Sequence, residues 1–373
     1  MALAAENHWP AAAPLEGIAI TRYGHGLPTK RIRVVEAGHP VPDSAGEAAA
    51  REMLENVRRL TQDDLLLALI SGGGSSLLSL PADDVPIADL KALTAQLLRS
   101  GAAIQEINTV RKHLSAIQGG RLAAACKAPV LALIISDVTG DDPTHIASGP
   151  CAPDPTTCGD ALEVLKRFRI QVPAAARRRL EQCVDETPKP GDPVFARVEN
   201  RVIATAHQSL EAAAATFTAQ GIQPVILGDT ITGEASEVAK VMAALAREIR
   251  KHAKPWRAPV ALISGGECTV TVSSEGGRGG RCAEFLLSLA IELDGVDKVW
   301  AIAADTDGID GTEDNAGALI APDTLGRAAQ KGLDARTMLA GHDSFGFFSG
   351  LGDLVVTGPT RTNVNDYRAL LVL

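Results

Sequence analysis

Two stretches constrain this chain more than any others. Leu65–Ile70 (LLLALI) and Val130–Ile135 (VLALII) are unbroken apolar runs of strand length, each ending abruptly in Gly, Ser or Asp. An amphipathic surface strand alternates; a run with no polar position suits a central strand covered on both faces, as in parallel sheets flanked by helices. The same pattern returns at Val260–Ser264 and Val299–Ala304, with helical periodicity between the runs. The fold expected is therefore α/β, with largely parallel sheets in both halves of the chain.

Length fits this reading, since 373 residues exceed what one core usually holds and suit two domains. Residues 186–192 (ETPKPGD), followed by Pro193, form the most linker-like stretch, so domains are expected over residues 1–192 and 197–373. Ser44 and Glu47 have capping-box spacing and open a helix expected to run to about Leu60. Further helices are expected over residues 87–99 and 104–126, the second broken at Gly119-Gly120. A strand is expected over residues 269–273.

Composition excludes several classes of function. Aromatics are 3% of the chain and the net charge is −9, which argues against nucleic-acid partners and against a general polyanion surface. There is no apolar run long enough to span a bilayer, so no membrane partner is expected. The six cysteines show neither C-x-x-C pairing nor zinc spacing, and are expected to be reduced thiols in a cytoplasmic protein.

In open parallel sheets ligands bind beyond the carboxyl ends of the strands. Four such ends carry residues suited to phosphate or magnesium. These are Ser71, Gly72, Gly73, Gly74 and Ser75 (in SGGGSS); SDVTGDD, with Asp137; SGGECT, with Gly266 and Glu267; and DTDGIDGTED, with Asp305 and Asp307. Consecutive glycines expose backbone N–H groups as an anion nest, and magnesium takes few carboxylates beside water and phosphate. Positive charge comes from Arg281 in GGRGGR and from Arg111 and Lys112, which follow Asn108. Standard nucleotide motifs fail: there is no Gly-Lys for a P-loop and no complete G-x-G-x-x-G, and HDSFG has His where a nucleophile elbow needs Gly.

Taken together, the strings TRYGHG, EAGHPVPD, LISGGGSSLL, INTVRKHLSAIQGGRLA, ISDVTGDDPTHIASGP, ISGGECTV, GRGGR, AADTDGIDGTEDNAGA and HDSFGFFSGLGDLVVTGPTRTNVND resemble the type II glycerate kinase, or MOFRL, family, over about residues 21–366. The resemblance implies a Rossmann-like N-terminal domain and a smaller C-terminal α/β domain containing the MOFRL segment (about 258–368), with the active site in the cleft between them. It implies ATP- and Mg2+-dependent phosphorylation of D-glycerate, most often to 2-phosphoglycerate. It carries Arg281 and Asp137 over as catalytic groups. SGGGSS, Asn108, Arg111, Lys112, Gly266, Glu267, Asp305 and Asp307 follow as binding residues, and Asp137 and Asp307 as metal ligands. The partner expected is a small molecule, glycerate, with a homodimer compatible with the resemblance.

Two departures stand out. The family reads Asn-Gln-Glu after GGR, whereas this chain has Cys282-Ala283-Glu284. The family also carries a Gly-Lys-Ala-Ala type motif with a catalytic lysine upstream of the helix that MALAAENHW resembles, so the first domain is expected to lack its opening strand. Two alternatives stand beside the kinase. One is an NAD(P)H-dependent hydroxypyruvate reductase of tartrate and glycerate metabolism, as family members have been described. The other is an impaired, glycerate-binding homologue.

Overall fold

A computed structural model describes residues 1–272 and 277–373, and these form two compact units, Met1–Ile203 and Ala204–Leu373. The division falls beyond the expected linker at 186–192. Glu186 is tied into the first unit by its contact with His113 and by the Cys158 N–H, and strand Val198–Ala204 joins a sheet of that unit.

In the first unit β1 (Gly17–Arg22) and β2 (Ile32–Ala37) form a parallel pair. β3 (Leu66–Ile70), β4 (Val130–Ile135) and β5 (Val198–Ala204) form a three-stranded sheet in that order. β3 and β4, the two apolar runs, are parallel and in register from Leu66↔Val130 to Ile70↔Ile134. Their carboxyl ends therefore lie at one edge, which brings the SGGGSS and SDVTGDD loops to the same side of the sheet. Ala68, Ile70, Ala132 and Ile134 pack with Leu54 and Val57 of the helix Ser44–Arg59 and with Ile117 and Leu122. That helix is capped by Asp43, whose Oδ1 accepts from Gly46 N at 2.9 Å, so Ser44 is the first helical residue rather than the cap. The expected helix over residues 104–126 resolves into Ile104–His113 and Arg121–Ala125, ending before the Gly119-Gly120 pair.

In the second unit a six-stranded sheet has the order β12–β11–β10–β13–β8–β6. Here β6 is Gln223–Gly228, β8 is Val260–Ser264, β10 is Val299–Asp305, β11 is Gly317–Ile320, β12 is Leu354–Val355 and β13 is Asp366–Val372; β7 (Gly233–Glu234) and β9 (Cys268–Thr269) pair separately. Only β6 and β8 are parallel among the described pairs of this sheet; the other four pairings are antiparallel. The expectation of a largely parallel sheet thus fails for this half. The acidic loop returns the chain from β10 directly into its neighbour β11 without a crossover helix, and the last strand, β13, inserts antiparallel between β8 and β10. Complete burial of β8 comes from its place between β13 and β6 and from cover on both faces: Val260 and Leu262 pack in the core with helices Ala235–His252 and Arg281–Leu293, and Ala261 and Ile263 pack with Leu210 of helix Ala206–Ala219. The strand expected over 269–273 is reduced to Cys268–Thr269, and its last residue, like Gly276 of GGRGGR, lies outside the described residues.

Two of the six cysteines depart from expectation. Cys158 and Cys183 form a disulfide, Cα–Cα 5.9 Å apart, while Cys126, Cys151, Cys268 and Cys282 are free and buried. Packing of helix Cys158–Arg167 on helix Ala174–Gln182 sets that distance, which no local spacing reveals. No helix among the described residues is long and apolar enough to cross a membrane.

Candidate active site

In the second unit, chemistry converges on Arg281, the first residue of helix Arg281–Leu293. Its Nη2 donates to Asp305 Oδ2 at 2.8 Å and to Asp366 Oδ1 at 3.1 Å, and its Nη1 donates to Glu267 Oε1. The three carboxylates arrive from separate strands. Asp305 ends β10 and Asp366 begins β13, where the antiparallel register sets them opposite each other; Glu267 follows β8. Burial lowers the Arg281 pKa, but the carboxylates of Asp366, Glu267 and Asp305 outweigh it and hold the guanidinium above its ordinary value. The side chain keeps 28% exposure, so a fixed cation faces solvent from an anionic seat.

Burial, and next the neighbouring Asp307 carboxylate, push Asp305 up to about 7, against the opposing pull of Asp307 N–H and Arg281. Asp307 Oδ1 accepts from Ile309 N at 2.8 Å, and its own N–H donates to Asp305 Oδ1 at 3.0 Å. Asp310 is the buried cap of the Arg281 helix, accepting from Cys282 N at 3.0 Å and Ala283 N at 2.8 Å. Cys282 and Ala283, where the resemblance implies a polar pair, are core residues, and their N–H groups are already held by that cap. The two arginines of GGRGGR differ. Arg278 is a surface side chain paired with Glu313 at 2.6 Å and stacked 4.2 Å over Phe345.

Gly266 holds Glu267 in place. Its φ is +104°, and a Cβ there would lie 2.2 Å from Ile231 O. Gly266→Ala is expected to cost ~2–4 kcal/mol, read as a lower chemical-denaturation midpoint; an unchanged midpoint would refute this backbone role.

Asp310 supplies a pH test. Burial, the largest cause, raises its carboxyl to about 6, against the two helix N–H groups that lower it. An acid whose folded pKa is raised loses stability as pH rises from the unfolded value, near 4, through the folded one. Relative to Asp310→Asn, the wild type should lose about 2–3 kcal/mol between pH 4 and pH 7, measured by denaturation at each pH. A constant gap would contradict it.

In the first unit, Gly73 takes a left-handed φ of +77° and opens the short helix Gly74–Leu77. A Cβ on Gly74 would lie 2.4 Å from that of Ala147, so the loop packs directly on residues 146–148. Ser75 Oγ lies 2.8 Å from Ser148 Oγ, and Ser75 O accepts from Gln118 Nε2 at 3.0 Å. Ser71 and Gly72 lie between β3 and that helix, half-buried, and Asp137, also half-buried, follows β4. Ser75 and Arg111 line one small recess with Thr94, Ser115 and Gln118, and burial lowers the Arg111 pKa. Asn108 is buried, with no hydrogen-bond partner for Oδ1 among the described residues. Lys112 is 1% exposed, and its Nζ donates to Asp154 Oδ1 at 2.7 Å.

Asp366 escaped sequence reasoning as a site residue, and Asp310 was legible only as one carboxylate of the acidic loop, not as a helix cap. Both lie within strings quoted for the resemblance, but only the sheet register and the helix cap single them out.

Comparison with known proteins follows the same division. Residues 1–181 match the model described as "Domain of unknown function (DUF4147)", and residues 260–366 match the MOFRL family. An Agrobacterium vitis protein named "Putative hydroxypyruvate reductase" is 52% identical over all of this chain and 84% of its own length. Glycerate 2-kinase of Pyrococcus horikoshii is 41% identical over 94% of this chain and 80% of its own. The crystal structure of glycerate kinase from Thermotoga maritima superposes with a TM-score of 0.87 at 39% identity, covering 96% of this chain and 85% of that one.

Proposed function

Because the chain belongs to the type II glycerate kinase family and is a phosphotransferase, we propose that it transfers the γ-phosphoryl group of ATP to D-glycerate, giving 2-phosphoglycerate and ADP. The observation that carries this reading is the seat of Arg281. A guanidinium held by Asp305, Asp366 and Glu267 is oriented before substrate arrives and stays charged at every working pH. Phosphoryl transfer asks a protein mainly for such positioning and charge neutralisation.

In this reading the 2-hydroxyl oxygen of glycerate forms a bond to the γ-phosphorus as the bond to the bridging oxygen of ADP breaks. Asp137 orients the hydroxyl and takes its proton, and Arg281 binds the equatorial oxygens of the transferring group. Glu267, 52% exposed, is the partner that yields Nη1 to phosphate, while buried Asp305 and Asp366 keep Nη2 in place. The N–H groups of Ser71, Gly72, Gly73 and Gly74, the Ser75 hydroxyl and Arg111 bind anionic oxygens of nucleotide or substrate. Asn108 and Lys112 hold that segment, Lys112 through Asp154.

Magnesium fits the acidic loop. The donors are hard carboxylate oxygens, and a nearby cation would offset both the burial and the neighbouring Asp307 charge that push Asp305 up to about 7. Asp307 is the residue of this loop that would hold it, and Asp137 the candidate in the first unit. When bound, the ion supplies neutralisation of phosphate charge.

The decisive experiment incubates the purified full chain with ATP, Mg2+ and D-glycerate and identifies the product by 31P NMR. Magnesium-dependent 2-phosphoglycerate supports the proposal, and 3-phosphoglycerate corrects its regiochemistry. NADH oxidation with hydroxypyruvate and no phosphoryl transfer would establish the reductase that the name of the Agrobacterium vitis relative suggests. Glycerate binding without either reaction would establish an impaired homologue.

A further inference from the structure

Away from the Arg281 site, three elements of the first unit bring metal-ligating side chains together. His113 ends helix Ile104–His113, Cys158 opens helix Cys158–Arg167, and Glu186 follows helix Ala174–Gln182. One donor atom from each lies within 4.8 Å of the other two. Cys183, bonded to Cys158, adds a fourth donor, with its Sγ 3.1 Å from Glu186 Oε2.

The hydrogen bonds around this cluster have the arrangement of a prepared ligand set. Thr109 O can only accept, so the 2.8 Å contact to His113 Nδ1 makes that nitrogen the N–H donor. In a neutral ring Nε2 then carries a lone pair, yet it faces Glu186 Oε1 at 2.8 Å. Two lone pairs at that distance need a cation, either a proton on the ring or a metal ion. Anchoring of Nδ1–H by a carbonyl is how metal-bound histidines are commonly oriented. The carboxylate is oriented as well, accepting from Cys158 N at 3.0 Å, Thr187 N at 2.9 Å and Lys189 Nζ at 3.0 Å. His113 and Cys158 are buried.

We propose that, when the Cys158–Cys183 bond is reduced, His113 Nε2, Cys158 Sγ, Cys183 Sγ and Glu186 form a tetrahedral site for zinc, so that disulfide and metal are alternative staples of the same three elements. Two thiolates and an imidazole suit zinc, and a carboxylate completes four-coordination. Tetrahedral thiolate ligands stand about 3.7 Å apart at the usual Zn–S length, so the sulfurs need only separate from bonding distance. Two thiolates and one carboxylate exceed the ion's charge by one, and the Lys189 ammonium beside Glu186 balances it.

Reduction consumes two electrons and two protons from an external dithiol, which is itself oxidised to a disulfide, and yields the two thiols. Zinc binding then releases both thiol protons to solvent.

The test uses the full chain with cobalt(II) as spectroscopic probe and zinc as competitor, before and after treatment with a dithiol and removal of that reagent. The reduced protein should take up one cobalt per chain, with a thiolate-to-cobalt band in the near ultraviolet and tetrahedral d–d bands, and zinc should bleach both. The oxidised protein should show neither. Glu186→Gln should weaken uptake about 10- to 100-fold, and Cys183→Ser should abolish the two-thiolate spectrum. Circular dichroism of each variant verifies folding, and the comparison of reduced with oxidised wild type needs no variant. Absence of tight uptake by the reduced chain overturns the proposal, as does equal uptake by the oxidised chain or by a Cys158→Ser/Cys183→Ser chain.

Discussion

Arg281→Lys is expected to lower kcat for ATP-dependent phosphorylation of glycerate by about 10²–10³-fold, and Arg281→Ala by at least ~10³-fold. The reason is geometric as much as electrostatic. One guanidinium spans Asp305, Asp366 and Glu267 at once, and an ammonium, a point charge on a flexible stem, cannot hold all three while presenting donors to phosphate. Arg281→Ala also leaves Asp366, 1% exposed, with Cys268 N at 3.5 Å and a distant Arg368 at 3.7 Å, so ~1–3 kcal/mol of stability should go with it. The Lys variant separates the two effects, because it keeps a cation beside the acids. Steady-state kinetics with a chemical-denaturation curve for each variant give both numbers. Near-normal turnover of a folded Arg281→Lys chain would remove Arg281 from the transfer step.

The second large effect falls on stability. Lys112 and Asp154 form an ion pair with side chains 1% and 0% exposed, and Asp154 carries further bonds from Thr156 N at 3.0 Å and Thr156 Oγ1 at 2.7 Å. Burial acts against the Asp154 carboxylate, but Lys112 and Thr156 outweigh it and hold the pKa below its ordinary value. Lys112→Met strands a buried carboxylate and should cost about 3–5 kcal/mol, or roughly 6–20 °C in Tm. Lys112→Met combined with Asp154→Leu should recover much of that loss, since replacing both charges removes their desolvation penalty. Thermal and chemical unfolding of the single and double variants close the cycle. A double variant as unstable as Lys112→Met would mean that the pair's contacts, rather than the uncompensated charge, hold this region.

This pair also shows where sequence reasoning stops. Arg111 and Lys112 read as one basic patch because they are adjacent, yet adjacent helical residues face different directions. Arg111 lines the recess with Ser75, whereas Lys112 turns into the interior toward Asp154, 42 residues away. The strands β3, β4, β8 and β10 were legible because unbroken apolar runs are local and state their own burial. Strand direction was not. Two of the four antiparallel pairings in the second unit are made by β13 inserting between β8 and β10, and nothing in the β10–β11 loop declares that.

The sequence by itself determined the α/β class, the loops that bear the chemistry and, through nine ordered strings, the family. Those are properties of contiguous residues, where periodicity and composition act. Tertiary structure alone decided which side chains meet. Asp305 and Asp366 face one another across 61 residues because two strands pair in register, Asp310 caps a helix that begins 29 residues earlier, and Cys158 finds Cys183 beside His113 and Glu186 because three helix ends converge. Such encounters follow from packing of apolar faces far from the polar groups they deliver, so no local pattern of charge or cysteine spacing records them.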